Sequence, residues 1–375
     1  MKIALVHDWL TNMGGAERVL CVLRELFPEA PIYTTLFEPD KLADCLAQAE
    51  VHTSFLQRLP RRLRRHQKLL PLMPYAFEQF DLSGYDLVIS SSHACAKGVL
   101  TRAETLHVCY CYTPMRYAWD MYHDYIRHLH GPKRWLAVWF LHRIRLWDYI
   151  SAQRVDRFIA ISRSVAARVR KNYGADASVL APPVDLGRFR AGEPREDYYV
   201  VVSRLVPYKR VDLAVKACLG LRRRLLIVGV GPEEKALKAL CPEGTGVRFL
   251  GWQSEEAVAD CLARARAFLF PGEEDFGLTM VEAHASGCPV IAYNKGGALD
   301  ILQDGETGIL FSEQSVEGLT QGILRFEALL EQGGSFEPKQ LRAQAERFDK
   351  ERFKEGFLKL LEAAGAGDGM GSGAV

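Results

Sequence analysis

From residue 198 onward the chain alternates between short β-branched or apolar runs and longer stretches of helical pattern. The runs are Tyr198 to Val202, Leu225 to Val228, Val247 to Leu250, Ala267 to Phe270, Pro289 to Tyr293 and Gly308 to Phe311. Each is short and largely apolar, which suits a strand covered by helices on both faces. Six βα units in succession predict an α/β fold with a doubly wound, mostly parallel sheet. The first half opens in the same way, with a strand over Lys2 to His7 and a loop holding Gly14 and Gly15. On the helix that follows, Val19, Val22, Leu23 and Leu26 fall at i, i+3, i+4 and i+7. Further strands are expected at Asp86 to Ser90 and Leu106 to Cys111. A chain of 375 residues has room for two such domains. The polar stretch 190–197 reads as the linker between them, giving domains over 1–192 and 193–345. The Gly-rich end, 365–375, has nothing to bury and is expected to be disordered.

The net charge of +2 conceals an asymmetry: residues 1–195 carry 27 Lys and Arg against 19 Asp and Glu, and the remainder carries 21 against 27. The excess of the first half concentrates at Arg58, Arg61, Arg62, Arg64, Arg65 and Lys68. Projected on a helix, these cations cover one side while Leu59, Leu63, His66 and Leu70 share the other, a pattern that fits an anionic membrane surface. A second segment, Arg134 to Trp147, is apolar nearly all round and is expected to be a buried helix. The longest apolar run, Trp135 to Leu141, falls far short of the roughly 20 residues that cross a bilayer. The N-terminus lacks the pattern of a secretion signal. Nine scattered cysteines without a C-x-x-C spacing predict reduced thiols in a cytoplasmic protein. No nucleic-acid motif and no metal-ligand spacing stands out.

Ligands of doubly wound sheets bind at the carboxyl ends of the strands, so the chemistry belongs in the βα loops. After Tyr198 to Val202, Arg204 and Lys209 place two cations just ahead of a helix, where helix-end amides also favour anions. The loop after Ala267 to Phe270 carries Glu273, Glu274 and Asp275, with Glu282 farther on. A helix starting near Phe276 puts Glu282 about two turns along and Glu274 just ahead of its N-terminus. Carboxylates accept paired hydrogen bonds from vicinal hydroxyls, as on a ribose or a hexose. The backbone N–H groups of Phe276, Gly277 and Leu278, at the helix start, are available for further contacts.

Gly14-Gly15, Arg204 with Lys209, Glu274 with Glu282, Gly287-Cys288-Pro289-Val290 and Gly296-Gly297 together resemble the family 4 retaining glycosyltransferases. In the first half, His7-Asp8-Trp9-Leu10, Tyr112-Thr113-Pro114-Met115-Arg116 and Pro182-Pro183-Val184-Asp185 resemble the bacterial mannosyltransferase-like branch that builds surface polysaccharides. The resemblance implies the GT-B fold, two Rossmann-like domains facing a central cleft, with a C-terminal helix over 346–364 returning to the first domain. It implies that Arg204 and Lys209 hold the nucleotide diphosphate, that Glu282 binds the ribose and that Glu274 binds the sugar. Gly14, Gly15, Gly296 and Gly297 would let backbone approach the donor, and Trp252 would border the base. No metal or other cofactor is needed, since cationic side chains neutralise the leaving group.

Where relatives carry a histidine, this chain has Tyr112, whose hydroxyl, with a pKa of about 10, is a poor base near neutrality. The candidates for a base are Asp8, His93 and Asp120, the last also a natural partner for Arg116. The expected activity is transfer of a hexose, mannose from GDP-mannose, to a lipid-linked oligosaccharide at the inner face of the plasma membrane. A UDP-sugar donor and a non-catalytic sugar-nucleotide-binding module are the alternatives. A dinucleotide-dependent oxidoreductase is disfavoured because the first βα turn lacks G-x-G-x-x-G.

Overall fold

The computed structural model describes residues 1–242 and 244–366. It divides into two compact units, one of Met1–Pro183 with the chain from Phe353 onward, the other of Val184–Arg352. The stretch 190–197 therefore lies inside the second unit, where Arg195 Nη2 donates to the carbonyl oxygens of Gly287 at 2.9 Å and Phe336 at 2.5 Å. Of the Gly-rich end, residues 367–375 lie outside the described residues.

The first unit holds seven parallel strands: β1 (Ile3–His7), β2 (Ile32–Thr34), β3 (Val51–Thr53), β4 (Leu87–Ser92), β5 (Leu106–Cys111), β6 (Arg157–Ala160) and β7 (Ala177–Val179). Their order is β3-β2-β1-β4-β5-β6-β7. The second unit holds six: β8 (Tyr199–Val202), β9 (Leu225–Val228), β10 (Val247–Gly251), β11 (Ala267–Phe270), β12 (Val290–Tyr293) and β13 (Gly308–Phe311), in the order β10-β9-β8-β11-β12-β13. The architecture is α/β, two doubly wound parallel sheets of the Rossmann-like kind. In each sheet the chain walks outward from its first strand and then returns to the other side of it, so that β1 lies between β2 and β4 and β8 between β9 and β11. The loops leaving β1 and β4, and those leaving β8 and β11, run to opposite sides and open a crevice at each switch point.

Local sequence sets the element ends. Ser162 Oγ accepts the Val165 N–H at the start of the Arg163–Tyr173 helix, a cap worth about 1 kcal/mol. That helix ends at Gly174, whose φ of 71° suits a residue without a Cβ. The last helix, Lys350–Leu361, presses Phe353 and Phe357 against Tyr110 of β5.

Three expectations are corrected here. The basic segment 58–70 is not one amphipathic helix: it breaks into turns at Phe55–Arg58 and Arg61–Leu63 and a single helical turn at His66–Leu69. Pro60 forces Leu59 into extended backbone and donates no N–H, so no helix runs through it. Arg58, Arg61, Arg62, Arg65 and Lys68 are exposed and Arg64 is half-buried, but they do not form one face. The Gly131–Ala152 helix, expected to be buried, exposes Trp135, Leu136 and Trp139. Not all cysteines are thiols: Cys21 and Cys45, with Cα atoms 5.8 Å apart, form a disulfide. The Gly15–Leu26 helix and the short Asp44–Ala47 helix bring them together across 24 residues of sequence, a juxtaposition no local spacing shows.

Candidate active site

In the second unit the switch point brings Lys209 and Glu274 together. The loop after β8 leads through the turn Pro207–Lys209 into the Val211–Leu221 helix. Arg204 is exposed on that loop, and the Lys209 ammonium forms an ion pair with Glu274, from the loop after β11. Both side chains of the pair are largely withdrawn from solvent. Glycines fix the spacing of these loops. A Cβ on Gly272 would stand 3.0 Å from Lys209 Cα, and one on Gly229 would stand 1.9 Å from the Ser203 carbonyl oxygen. From the loop after β12, Gly297 donates its N–H to the Glu274 carbonyl at 2.9 Å. A Cβ on Gly296 would meet that carbonyl at 2.2 Å, and one on Gly297 the Phe276 carbonyl oxygen at 2.1 Å. Gly296 and Gly297 thus hold two loops together, whatever they do for a ligand.

The helix after β11 begins at Leu278 rather than near Phe276, because Gly277, at φ 93°, turns the chain into it. Glu282 then lies about one turn along, not two, and is buried to 9% exposure. Phe276 is buried against Phe348, and the first-turn N–H groups from Leu278 onward belong to a helix start. Trp252, beyond β10, is 75% exposed. Among the described residues no group of three His, Cys, Asp or Glu side chains is placed to hold a metal ion.

The first unit gathers a second constellation at its own switch point. Asp8 follows β1, and its carboxylate accepts four backbone N–H groups: His93 at 2.7 Å and Ala94 at 3.0 Å on Oδ2, Cys95 at 2.6 Å and Ala96 at 2.7 Å on Oδ1. A carboxylate so engaged anchors the turn after β4. His93 Nδ1 stands 3.1 Å from Asp8 Oδ2, and its ring lies edge-on to Trp9. Burial pushes the His93 pKa below its usual value against the pull of Asp8.

Tyr112, just past β5, donates its hydroxyl to the Ala16 carbonyl at 3.0 Å and lies 2.9 Å from Ser91 Oγ, so it braces the Gly14–Gly15 turn. His7 Nδ1 is 3.1 Å from the same Ser91 oxygen, and His7 Nε2 is 3.7 Å from Glu17 Oε1. Burial disfavours the charge on Glu17, but His7 and the backbone outweigh it and hold its pKa below the usual carboxylate value. Gly14 caps the helix that begins at Gly15, and a Cβ on it would approach Glu17 Oε2 to 2.9 Å. The sequence reading assigned His7, Glu17 and Ser91 no role, although His7 stands inside one of the strings that carry the resemblance. Asp120 pairs with Arg168, whose Nε lies 2.8 Å from its carboxylate.

Residues 13–188 match the sequence model described as Glycosyltransferase Family 4, and residues 187–346 match that described as Glycosyl transferases group 1. The chain belongs to the family 4 glycosyltransferases. Within this family it is 29% identical over 254 residues to a D-inositol 3-phosphate glycosyltransferase of Rhodococcus erythropolis, covering 58% of this chain and 56% of that one. It is 33% identical over 193 residues to a GDP-mannose-dependent alpha-(1-6)-phosphatidylinositol monomannoside mannosyltransferase of Mycobacterium tuberculosis, covering 44% of this chain and 50% of that one. The chain spans little more than half the length of such curated relatives. Among solved structures, that of Anabaena HepE in complex with UDP-glucose superposes with a TM-score of 0.70 at 17% identity, over 97% of this chain and 100% of that one. The GT-B glycosyltransferase fold accounts for both sheets.

Proposed function

We propose that the protein is a retaining hexosyltransferase that moves mannose from GDP-mannose to a lipid-linked oligosaccharide during bacterial polysaccharide assembly. The observation that carries the reading is the meeting of Lys209 and Glu274 at the switch point of the second sheet, with Arg204 on one of the two loops and Glu282 on the helix after the other. A nucleoside diphosphate carries the charge that Arg204 and Lys209 complement, and those cations stabilise the charge that grows on it as the glycosidic bond breaks. Binding it would draw the Lys209 ammonium away from Glu274 and release that carboxylate for sugar hydroxyls. Glu282 serves the ribose, and Trp252 offers a face to the base. Within the first unit, Tyr112, itself bonded to Ser91, holds the Gly14–Gly15 turn. With Asp8 and Asp120 engaged, the departing phosphate oxygen takes the proton of the attacking hydroxyl, and attack on the face being vacated retains configuration. The choice of mannose rests on the Mycobacterium relative, and it is the part most directly open to test.

Thermal unfolding in the presence of GDP, UDP, ADP and their sugars tests the reading. A ligand bound only by the folded state at about a hundred times its Kd adds about 2.7 kcal/mol of stability. GDP and GDP-mannose are expected to raise the midpoint, and the increment from GDP should persist in Glu274→Ala while sugar transfer falls by about a hundredfold or more. Stabilisation by UDP alone would move the donor to a UDP-sugar. No stabilisation by any nucleotide, or full turnover in Glu274→Ala, would overturn the assignment of this site.

A further inference from the structure

The Gly131–Ala152 helix has two apolar sides with different fates. Leu141, Ile144, Asp148, Ser151 and Ala152 fall on one side and are buried. Asp148 fastens that side: it pairs with Lys97 and accepts hydrogen bonds from Trp119 Nε1 at 2.7 Å and the Tyr173 hydroxyl at 2.9 Å. At 3.6 residues per turn the opposite side carries Pro132, Trp135, Leu136, Trp139, Leu146 and Ile150, an apolar stripe about 27 Å long. All six are exposed, Trp135 to 78%, Leu136 to 66% and Trp139 to 51%. The first four border one shallow depression.

Charge identifies the partner. Lys133, Arg134 and Arg143 are exposed on this helix, and the Arg143 guanidinium lies 5.4 Å from the centre of the Trp139 ring. Asp148, the only carboxylate on the helix, is buried on the far side. Exposed tryptophans beside cations, on a helix already fixed by its other face, match the interfacial region of an anionic bilayer, where indoles sit among headgroups and cations meet phosphates. A second copy of the same stripe would bring like charges together. No helix among the described residues is long and apolar enough to cross a membrane.

We propose that the exposed face of the Gly131–Ala152 helix lies in the headgroup layer of an anionic bilayer, with Trp135, Leu136 and Trp139 inserted and Lys133, Arg134 and Arg143 at the phosphates. This assignment stands apart from the sugar-transfer reading, since vesicle binding without nucleotide binding would sink only the latter.

The test is co-sedimentation of the full chain with phosphatidylcholine vesicles, with and without about one third phosphatidylglycerol. The native chain is expected to bind the anionic vesicles with a blue shift of tryptophan emission, and to bind the neutral ones far more weakly. The Trp135→Ala/Leu136→Ala/Trp139→Ala variant removes side chains that pack on solvent, so its thermal midpoint should be unchanged while vesicle affinity drops by about tenfold or more. Arg143→Glu alone should weaken binding at low salt and matter little at about 0.5 M NaCl. Absence of binding by the native chain, or equal binding by the triple variant, would overturn the proposal. A dimer of the native chain that the triple variant abolishes would overturn it too, by giving the stripe to a second copy.

Discussion

At the scale of single residues, the two switch points use buried charge in opposite ways. Asp8 is closed off, its oxygens occupied by four amides of one turn, whereas Lys209 and Glu274 are held by each other and so can exchange partners. Two buried histidines add a pH dependence. His284 Nε2 lies 2.9 Å from the Thr307 carbonyl and His107 Nε2 lies 2.9 Å from Ser90 Oγ, and burial pushes both pKa values down to about 4. An unfolded histidine titrates near 6.5, so between about pH 6.5 and pH 4 the unfolded chain binds protons that the folded one refuses. The contribution of these two histidines is therefore constant above that window and falls as the pH drops through it, by up to about 3 kcal/mol for each. Urea unfolding across this range should show the loss. His284→Gln keeps an N–H for Thr307 and does not titrate, so its stability should fall less steeply with acid.

At the scale of elements, the loops of the second unit depend on glycines that differ in what they face. A methyl group on Gly297 would collide with the Phe276 backbone, which cannot move without shifting the start of the Leu278–Ala285 helix. Gly297→Ala is expected to cost about 2 to 3 kcal/mol in urea unfolding and to weaken nucleotide binding with it. Gly14→Ala meets only the end of the Glu17 side chain, which can swing away, and should cost about 1 kcal/mol or less. All six strands of the second sheet were legible in the sequence, because five are continuous apolar runs and β10 is broken only by the exposed Arg248. β2, β3, β6 and β7 were not: β2, β3 and β7 have only three residues, β3 and β7 lie at the sheet edges and are partly exposed, and β6 opens on the exposed Arg157. Two helices misled the reading for separate reasons. A helical wheel drawn over 58–70 takes for granted the helix that Pro60 forbids, and apolar side chains all round a helix do not say which side the protein covers. Within the site, the Arg204, Lys209, Glu274 and Glu282 positions came from motifs at strand ends. The His7–Ser91–Tyr112 chain did not, since it joins residues far apart in sequence through β1, β4 and β5.

At the scale of the whole molecule, the first unit is discontinuous and the second is not. Val184–Arg352 is an uninterrupted stretch set within the other unit, which resumes at Phe353. Expressed alone, residues 184–352 should unfold in one cooperative transition, since the core around Val201, Ile227, Leu269 and Ile291 draws only on that stretch. Two or more transitions in chemical denaturation would show instead that it borrows stability from the rest of the chain. The Lys350–Leu361 helix supplies Phe353 and Phe357 to Tyr110, near the middle of the first sheet. During synthesis the ribosome thus delivers the whole of the second unit before the first unit receives its closing helix. The unit that begins before the other closes after it, and Tyr110 stays uncovered by these two phenylalanines until both have emerged.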